Sequence, residues 1–149
     1  MEPQTSLNVK KITKDDYEAV AQLRHKLWPQ DALTSHLAEI KALYTQTYCG
    51  FVARDGDKVV GFIEISQRPY VNGCLYRPVA FIEGIYLLPS YDNDQARALL
   101  ATHCEAWAKS HEIQEIASDA YLENQKSQDE LRRLGFQPTE KIVYFRKNL

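Results

Sequence analysis

Glu83 stands inside an otherwise apolar run, Val79 to Leu88, with Gly84 directly after it. A carboxylate in such a strand is costly unless it is paired or used. A glycine within a strand marks a bulge or the close approach of another backbone. The alternative for Glu83 is an edge carboxylate facing solvent. A second carboxylate, Asp119, ends a short strand-like run, and open α/β sheets take their ligands at the carboxyl ends of strands. Its alternative is a turn or capping aspartate. The chemistry such side chains offer is to hold a cation and to accept a proton. Other chemistries lack their residues. Cys49, Cys74 and Cys104 pair with no histidine or second cysteine at zinc-ligand spacing, and His25, His36, His103 and His111 form no metal motif. No metal site is therefore expected, and Cys74 and Cys104 lie outside any Cys–His nucleophile arrangement.

The elements that must position these groups read as alternating strands and helices. Asn8–Thr13 is a first strand. Lys14–Trp28 carries Tyr17, Val20, Ala21, Arg24, Leu27 and Trp28 at helical spacing and stops at Pro29. A second helix runs from Thr34 to about Gln46. Tyr48–Arg54 and Lys58–Gln67 form a hairpin through Asp55-Gly56-Asp57. A loop, Pro69–Pro78, turns at Asn72-Gly73. Val79–Leu88 is a long strand ended by Pro89, Asp94–Ser110 a helix, and Glu115–Ala120 a short strand. Asn124–Leu134 is a helix closed by Gly135, and Lys141–Lys147 an alternating last strand. This order predicts an α/β (α+β) fold in one domain over residues 1–149, with a mixed, mostly antiparallel sheet and helices on both faces.

Composition agrees with a soluble globular chain: 149 residues, 44% apolar and 26% charged. No apolar run reaches the roughly 18 residues of a membrane span. Met1 to Lys11 has no apolar stretch of signal type, so a cytosolic location is expected. A formal net charge of −2 gives no basic footprint for nucleic acid.

Several pieces carry a resemblance, and they occur in order along almost the whole chain. They are Leu23-Arg24, Lys26-Leu27-Trp28-Pro29, Ser35-His36-Leu37, Tyr70-Val71-Asn72-Gly73 and Pro78 to Pro89. Ala117-Ser118-Asp119, Leu134-Gly135-Phe136 and Val143-Tyr144-Phe145-Arg146-Lys147 complete the set. Together they resemble the Gcn5-related N-acetyltransferases (GNAT), whose fold is the acyl-CoA N-acyltransferase fold. Within that superfamily they are similar to the small dimeric aminoglycoside 6′-N-acetyltransferases. The resemblance implies acetyl transfer from acetyl-CoA to a primary amine of an aminoglycoside, by direct attack in a ternary complex, in a homodimer. It gives Glu83 the role of holding the amine and Asp119 that of a second anchor. Trp28 and Tyr70 would wall the sugar site, and Glu140 would add a negative charge. Ile85, Tyr86 and Leu87 would meet the pantetheine arm, with the Leu87 N–H on the thioester carbonyl. Gln95, Ala96 and Arg97 would lie at the pyrophosphate, and Asn124 on the coenzyme arm. Residue by residue, alternatives stay open: core packing for Trp28, loop packing for Tyr70, and a helix N-cap for Asn124.

Two departures from the pattern bear on the chemistry. The pyrophosphate loop usually reads Arg/Gln-x-x-Gly-x-Gly/Ala, and here it reads Asp92-Asn93-Asp94-Gln95-Ala96-Arg97. Two carboxylates would then face a diphosphate. Either Arg97 has taken over phosphate binding, or the loop is degenerate and the protein binds polycations without acetylating them. An acetyltransferase for another polyamine or amino sugar is a third reading. The second departure is Leu131, which stands where the superfamily often has a tyrosine that protonates the leaving thiolate. Tyr144 is the substitute that the sequence offers, unless it is a strand aromatic packed in the sheet.

Overall fold

A computed structural model describes residues 6–149, so residues 1–5 of the polar N-terminal stretch lie outside it. Five strands form one sheet in the order β1-β2-β3-β4-β5. They are β1 Asn8–Lys11, β2 Tyr48–Asp55, β3 Lys58–Arg68, β4 Val79–Leu87 and β5 Ile116–Ala117. The first four are antiparallel neighbours, and β5 joins β4 in parallel. The helices are α1 Tyr17–Leu27, α2 Leu33–Leu43, α3 Asp94–Ser110 and α4 Gln125–Arg133.

The sheet is apolar on both faces because it is covered on both. On one face α1 and α2 bring Val20, Ala21, Leu23 and Ile40 against Val52 and Phe62. On the other, α3 brings Ala96, Leu100, Cys104 and Trp107 against Ala53, Ile63, Ile65 and Leu87. Gly56, at φ 60°, supplies the left-handed residue of the β2–β3 hairpin, and Gly135, at φ 97°, ends α4.

Several expected bounds move. The first helix opens with a 3₁₀ turn at Lys14–Asp16, where the Asp16 carboxylate accepts the Thr13 N–H at 2.8 Å and a bond from Arg54. Burial alone would raise the Asp16 carboxyl. The Thr13 N–H and Arg54 outweigh it and hold the group below its ordinary range. The strand expected over Glu115–Ala120 shrinks to the two residues of β5. The strand expected over Lys141–Lys147 does not form: residues 136–149 carry no regular structure. A strand exists only by pairing, and this segment meets no sheet edge in its own chain. Its apolar residues lie in solvent, Val143 at 74%, Tyr144 at 87% and Phe145 at 92% exposure.

A charged network lies buried between α1, α2 and β3. Arg24 bonds Glu64 and Glu39, and the Tyr44 hydroxyl donates to Glu64 at 2.5 Å. Arg24 Nε–H donates to His36 Nδ1 at 3.3 Å, which leaves the proton of a neutral His36 on Nε2, to be donated to the Trp28 carbonyl at 3.0 Å. Burial alone would lower Arg24, but the carboxylate of Glu64 prevails and keeps the guanidinium charged. Burial also pushes the Tyr44 phenol up, and the neighbouring Glu64 adds to the shift, so Tyr44 stays a donor. Arg24 and Glu64 are both almost fully buried, whereas Glu39 is half exposed. Glu64→Gln should therefore cost about 3 kcal/mol or more in urea unfolding, because it leaves a buried guanidinium short of its partner. Glu39→Ala should cost under about 1 kcal/mol. Equal losses in the two variants would show that the buried pair is not the stabilising one.

Candidate active site

Glu83 sits on a β-bulge. Glu64 pairs with Gly84 and Ile65 with Ile82, so Glu83 has no partner of its own on β3. The bulge is also visible in side-chain parity. Ala80 and Ile82 face α3 before it, and Ile85 and Leu87 do so after it. The inserted residue turns Glu83 toward polar side chains of β3. Its carboxylate accepts the Ser66 hydroxyl at 2.5 Å and a fork from Arg68, whose Nε and Nη2 lie at 3.1 and 3.0 Å from Oε1, with Nη2 at 2.9 Å from Oε2. Glu83 is thus neither a solvent-facing edge carboxylate nor an unpaired one. Its side chain keeps 20% exposure, enough to meet a ligand.

Gly84 explains Trp28. A Cβ on Gly84 would lie 2.6 Å from both Cη2 and Cζ2 of Trp28, so the indole rests directly on the glycine. Trp28 also stacks on His36, meets Phe62 edge-on and lies 4.9 Å beneath the Arg24 guanidinium. Core packing and a place beside Glu83 are therefore both true of Trp28.

Of the two other carboxylates, Asp119 follows a link to β4 and Glu140 follows a contact with the Tyr70 loop. Ser118 Oγ donates to the Ile82 carbonyl at 3.1 Å, which ties the end of β5 to β4 and sets exposed Asp119 one residue past that link. Tyr70 is exposed, with Arg77 5.3 Å from its ring centre. Its loop turns at Gly73, against which Thr139 packs, so Glu140 lies next along the chain from this contact. Tyr144 is not packed in the sheet: it lies in solvent, because the strand expected to carry it does not form.

β4 and β5 part after two rungs, Ala80–Ile116 and Phe81–Ala117. Past that point no strand of the described residues lies beside the outer side of β4. The Leu88 N–H donates to the Val60 carbonyl at 2.8 Å, so by antiparallel alternation Tyr86 turns its backbone groups to β3. Those of Ile85 and Leu87 point to the open side. Of the three residues expected at a pantetheine arm, Ile85 and Leu87 thus offer free backbone groups and Tyr86 does not.

The open side leads toward the N-terminus of α3, where the expected charges rearrange. Asn93 caps the helix by accepting the Ala96 N–H at 2.8 Å. The Arg97 N–H donates to the Asn93 carbonyl, which leaves the N–H groups of Asp94 and Gln95 as the first-turn donors without an intrahelical partner. Asp92 faces no diphosphate unpaired: Arg97 grips it through Nε and Nη2 at 2.7 and 2.9 Å. Arg97 also meets Glu130 at 3.2 Å, and Arg133 meets Asp94 at 3.0 Å. The reading of Arg97 as a replacement phosphate ligand is corrected accordingly, since its guanidinium is largely buried between two carboxylates. Asn124 caps α4 by accepting the Ser127 N–H at 3.1 Å, so its side-chain oxygen is already engaged.

Cys49 and Cys104 lie in the core between the sheet and α3. Burial pushes the Cys49 thiol up to about 11 and raises Cys104 as well. Among the described residues no group of three or more His, Cys, Asp or Glu could hold a metal ion.

β4 thus carries a bulge, parts from its parallel neighbour after two rungs and is followed by a capped helix start. The family model described as acetyltransferase (GNAT) family matches residues 9–136. The chain belongs to the GNAT acetyltransferases. Curated relatives are named aminoglycoside N(6′)-acetyltransferase type 1. That of Acinetobacter haemolyticus is 39% identical over 145 residues, covering 96% of this chain and 99% of its own. That of Salmonella enteritidis is 34% identical over 143 residues, covering 95% and 99%. Among solved GNAT structures, AAC(6′)-Iy in complex with the bisubstrate analog CoA-S-monomethyl-acetylneamine superposes with a TM-score of 0.91 at 33% identity, covering 97% of this chain and 99% of that one. AAC(6′)-Ih from Acinetobacter baumannii gives a TM-score of 0.91 at 37% identity, with the same coverage. The resemblance read from the sequence and the mixed, mostly antiparallel fold are both borne out.

Sequence reasoning missed Glu64, Ser66 and Arg68. The available signal was alternation: Phe62, Glu64, Ser66 and Arg68 fall on one face of β3, a polar stripe running from the core out to Glu83. The contact of Trp28 with Gly84 makes a test. Gly84→Ala should cost about 1–3 kcal/mol and displace the indole, seen as a shifted Trp28 emission in a Trp107→Phe background. An unchanged spectrum and stability would mean that the indole does not rest there.

Proposed function

We propose that the protein transfers an acetyl group from acetyl-CoA to the 6′-amine of an aminoglycoside. The observation that carries this reading is the bulge, which sets a held carboxylate, Glu83, next to a stretch of β4 with free backbone groups. Near-full-length relatives named for that activity, and a neighbour complexed with a CoA–aminoglycoside analogue, support it. The same names favour an aminoglycoside over other polyamines or amino sugars.

In this reading Glu83 and Asp119 anchor substrate ammonium groups, Glu140 adds negative charge, and Trp28 and Tyr70 wall the sugar. The arm of acetyl-CoA lies along the open side of β4, where the Ile85 backbone pairs with it and the Leu87 N–H polarises the thioester carbonyl. The diphosphate meets the α3 N-terminus through the free N–H groups of Asp94 and Gln95. Ala96 contributes its small side chain, and Asn124 shapes the far wall as the α4 cap. The bound ammonium gives one proton to water, and the free amine attacks the carbonyl carbon. A C–N bond forms, the nitrogen gives a second proton to water as the C–S bond breaks, and coenzyme A leaves as thiolate. A free thiol has a pKa near roughly 8.5, so departure without a general acid is tolerable. The rival reading, a non-catalytic binder of polycations, rested on unpaired carboxylates in the pyrophosphate loop. Arg97 and Arg133 neutralise both of them.

We further propose a homodimer. The sheet ends at β5, and the alternating segment Ile142–Phe145 leaves its apolar side chains in water. An unpaired edge and an unpaired strand sequence are complementary, and a second copy supplies each to the other. Docking of this kind is also what would bring Tyr144 out of solvent. A single domain and a cytoplasmic location complete the proposal. Three free cysteines suit a reducing compartment, and no helix of the described residues is long and apolar enough to cross a membrane.

Calorimetric titration with acetyl-CoA and then tobramycin tests the activity. Both should bind, with free thiol released on mixing, and Glu83→Gln should weaken tobramycin at least about tenfold while leaving acetyl-CoA unchanged. Tobramycin binding without acetyl-CoA binding would replace the enzyme by the polycation binder. For the dimer, sedimentation equilibrium should show two copies for the full chain and one for a chain ending at Glu140. A full-length monomer would overturn it.

A further inference from the structure

Oε1 of Glu83 accepts three donors, the Ser66 hydroxyl at 2.5 Å and Arg68 Nε and Nη2 at 3.1 and 3.0 Å. Oε2 accepts Arg68 Nη2 alone, at 2.9 Å. A carboxylate has about two acceptor directions on each oxygen. Oε1 is therefore saturated, and Oε2 keeps one direction open. The guanidinium that imposes this pattern is itself fixed. Arg68 ends β3, and its Cζ lies 3.6 Å from the ring centre of Phe81, a residue buried in the sheet. The pair is not sealed away, since the Arg68 side chain is 43% exposed and that of Glu83 20%.

We propose that Arg68 is the positioning and specificity-determining residue of the amine subsite. It locks the rotamer of Glu83, closes Oε1 and presents Oε2 as the acceptor for the substrate ammonium. This rests on the reading of Glu83 as the amine anchor. Charge balance adds a second consequence. Arg68 already neutralises Glu83, so an incoming ammonium leaves the subsite at +1 until another carboxylate joins. Asp119 is the neighbouring group of the right sign. Arg68 thereby makes the second anchor necessary, and the subsite favours amines that are held at two acidic points. Lysine cannot replace Arg68 here, because one ammonium gives the charge but not the planar fork.

Steady-state kinetics with tobramycin at saturating acetyl-CoA test this on the full chain, in the Arg68→Gln, Arg68→Lys, Glu83→Gln and Arg68→Gln/Glu83→Gln variants. Arg68→Gln should lower kcat about tenfold while KM for tobramycin moves less than about threefold, since orientation is lost and the negative charge remains. Arg68→Lys should stay within about threefold of Arg68→Gln, and it carries the test if the glutamine variant does not fold. In the Glu83→Gln background, removing Arg68 should add nothing. Wild-type kcat in Arg68→Gln, full recovery in Arg68→Lys, or an equal loss in the Glu83→Gln background would each overturn the proposal. Impaired Glu83→Gln with unchanged Arg68→Gln overturns it alone. Wild-type kinetics in Glu83→Gln overturn the anchor reading beneath it.

Discussion

One inserted residue sets the geometry of everything around it. Because Glu83 is extra in the β3–β4 ladder, the parity of β4 changes at that point. Ile85 and Leu87 keep their side chains in the core under α3, while Glu83 and Gly84 turn toward α1 and α2. Without the bulge, either the apolar residues after it or those before it would leave the core, since a shift of one residue exchanges the two faces of a strand. The same insertion bends the strand. β5 can then follow β4 for only two rungs, and the fork between them opens where the backbone groups of Ile85 and Leu87 are free. The held carboxylate and the open side of β4, proposed as amine anchor and coenzyme groove, thus meet at a single backbone irregularity.

The bulge needs a firm floor, and the buried network provides one. A buried ion pair adds little stability over an apolar pair of the same shape, but it fixes directions. Glu64, opposite Gly84, holds Arg24. Arg24 sets the tautomer of His36, and His36 holds the Trp28 carbonyl. The indole is then fixed over Gly84 by bonds on one side and close contact on the other. Glycine is required there because any larger residue would occupy the space of the ring.

Much of this was legible in the sequence, and what was not has a common cause. The Gly56 turn, the Gly135 stop, the Glu83–Gly84 anomaly and the order of elements as far as α4 are local signals, and each stands where it was read. The misread features depend on partners distant in space. A strand at Lys141–Lys147 has the right alternation, but alternation supplies no edge to pair with. Glu64 and Arg68 sit in a segment that reads as an apolar strand, and their meaning appears only when α1 and β4 are beside them. Asp92 and Arg97 are five residues apart, and only the turn into α3 folds one onto the other. Counting charges along the loop gave two carboxylates facing phosphate; in space each of the two is held by a guanidinium.

In the proposed reading, those pairs divide the site into halves that would hold their ligands by different physics. Arg97 and Arg133 are committed to Asp92, Glu130 and Asp94, so no cation of this cluster is left for a diphosphate. What remains at the α3 start is directional, the N–H groups of the first turn and the partial positive charge of the helix end. The amine half is the reverse: Asp119 and Glu140 are exposed carboxylates, and Glu83 is a carboxylate whose charge Arg68 already offsets. Attraction of a polycation then comes from the rim, where it is long-ranged and screened by salt. Orientation would come from the bulge, where a guanidinium stacked on Phe81 sets the acceptor direction. A substrate with several ammonium groups satisfies both demands at once, and a monoamine satisfies only one.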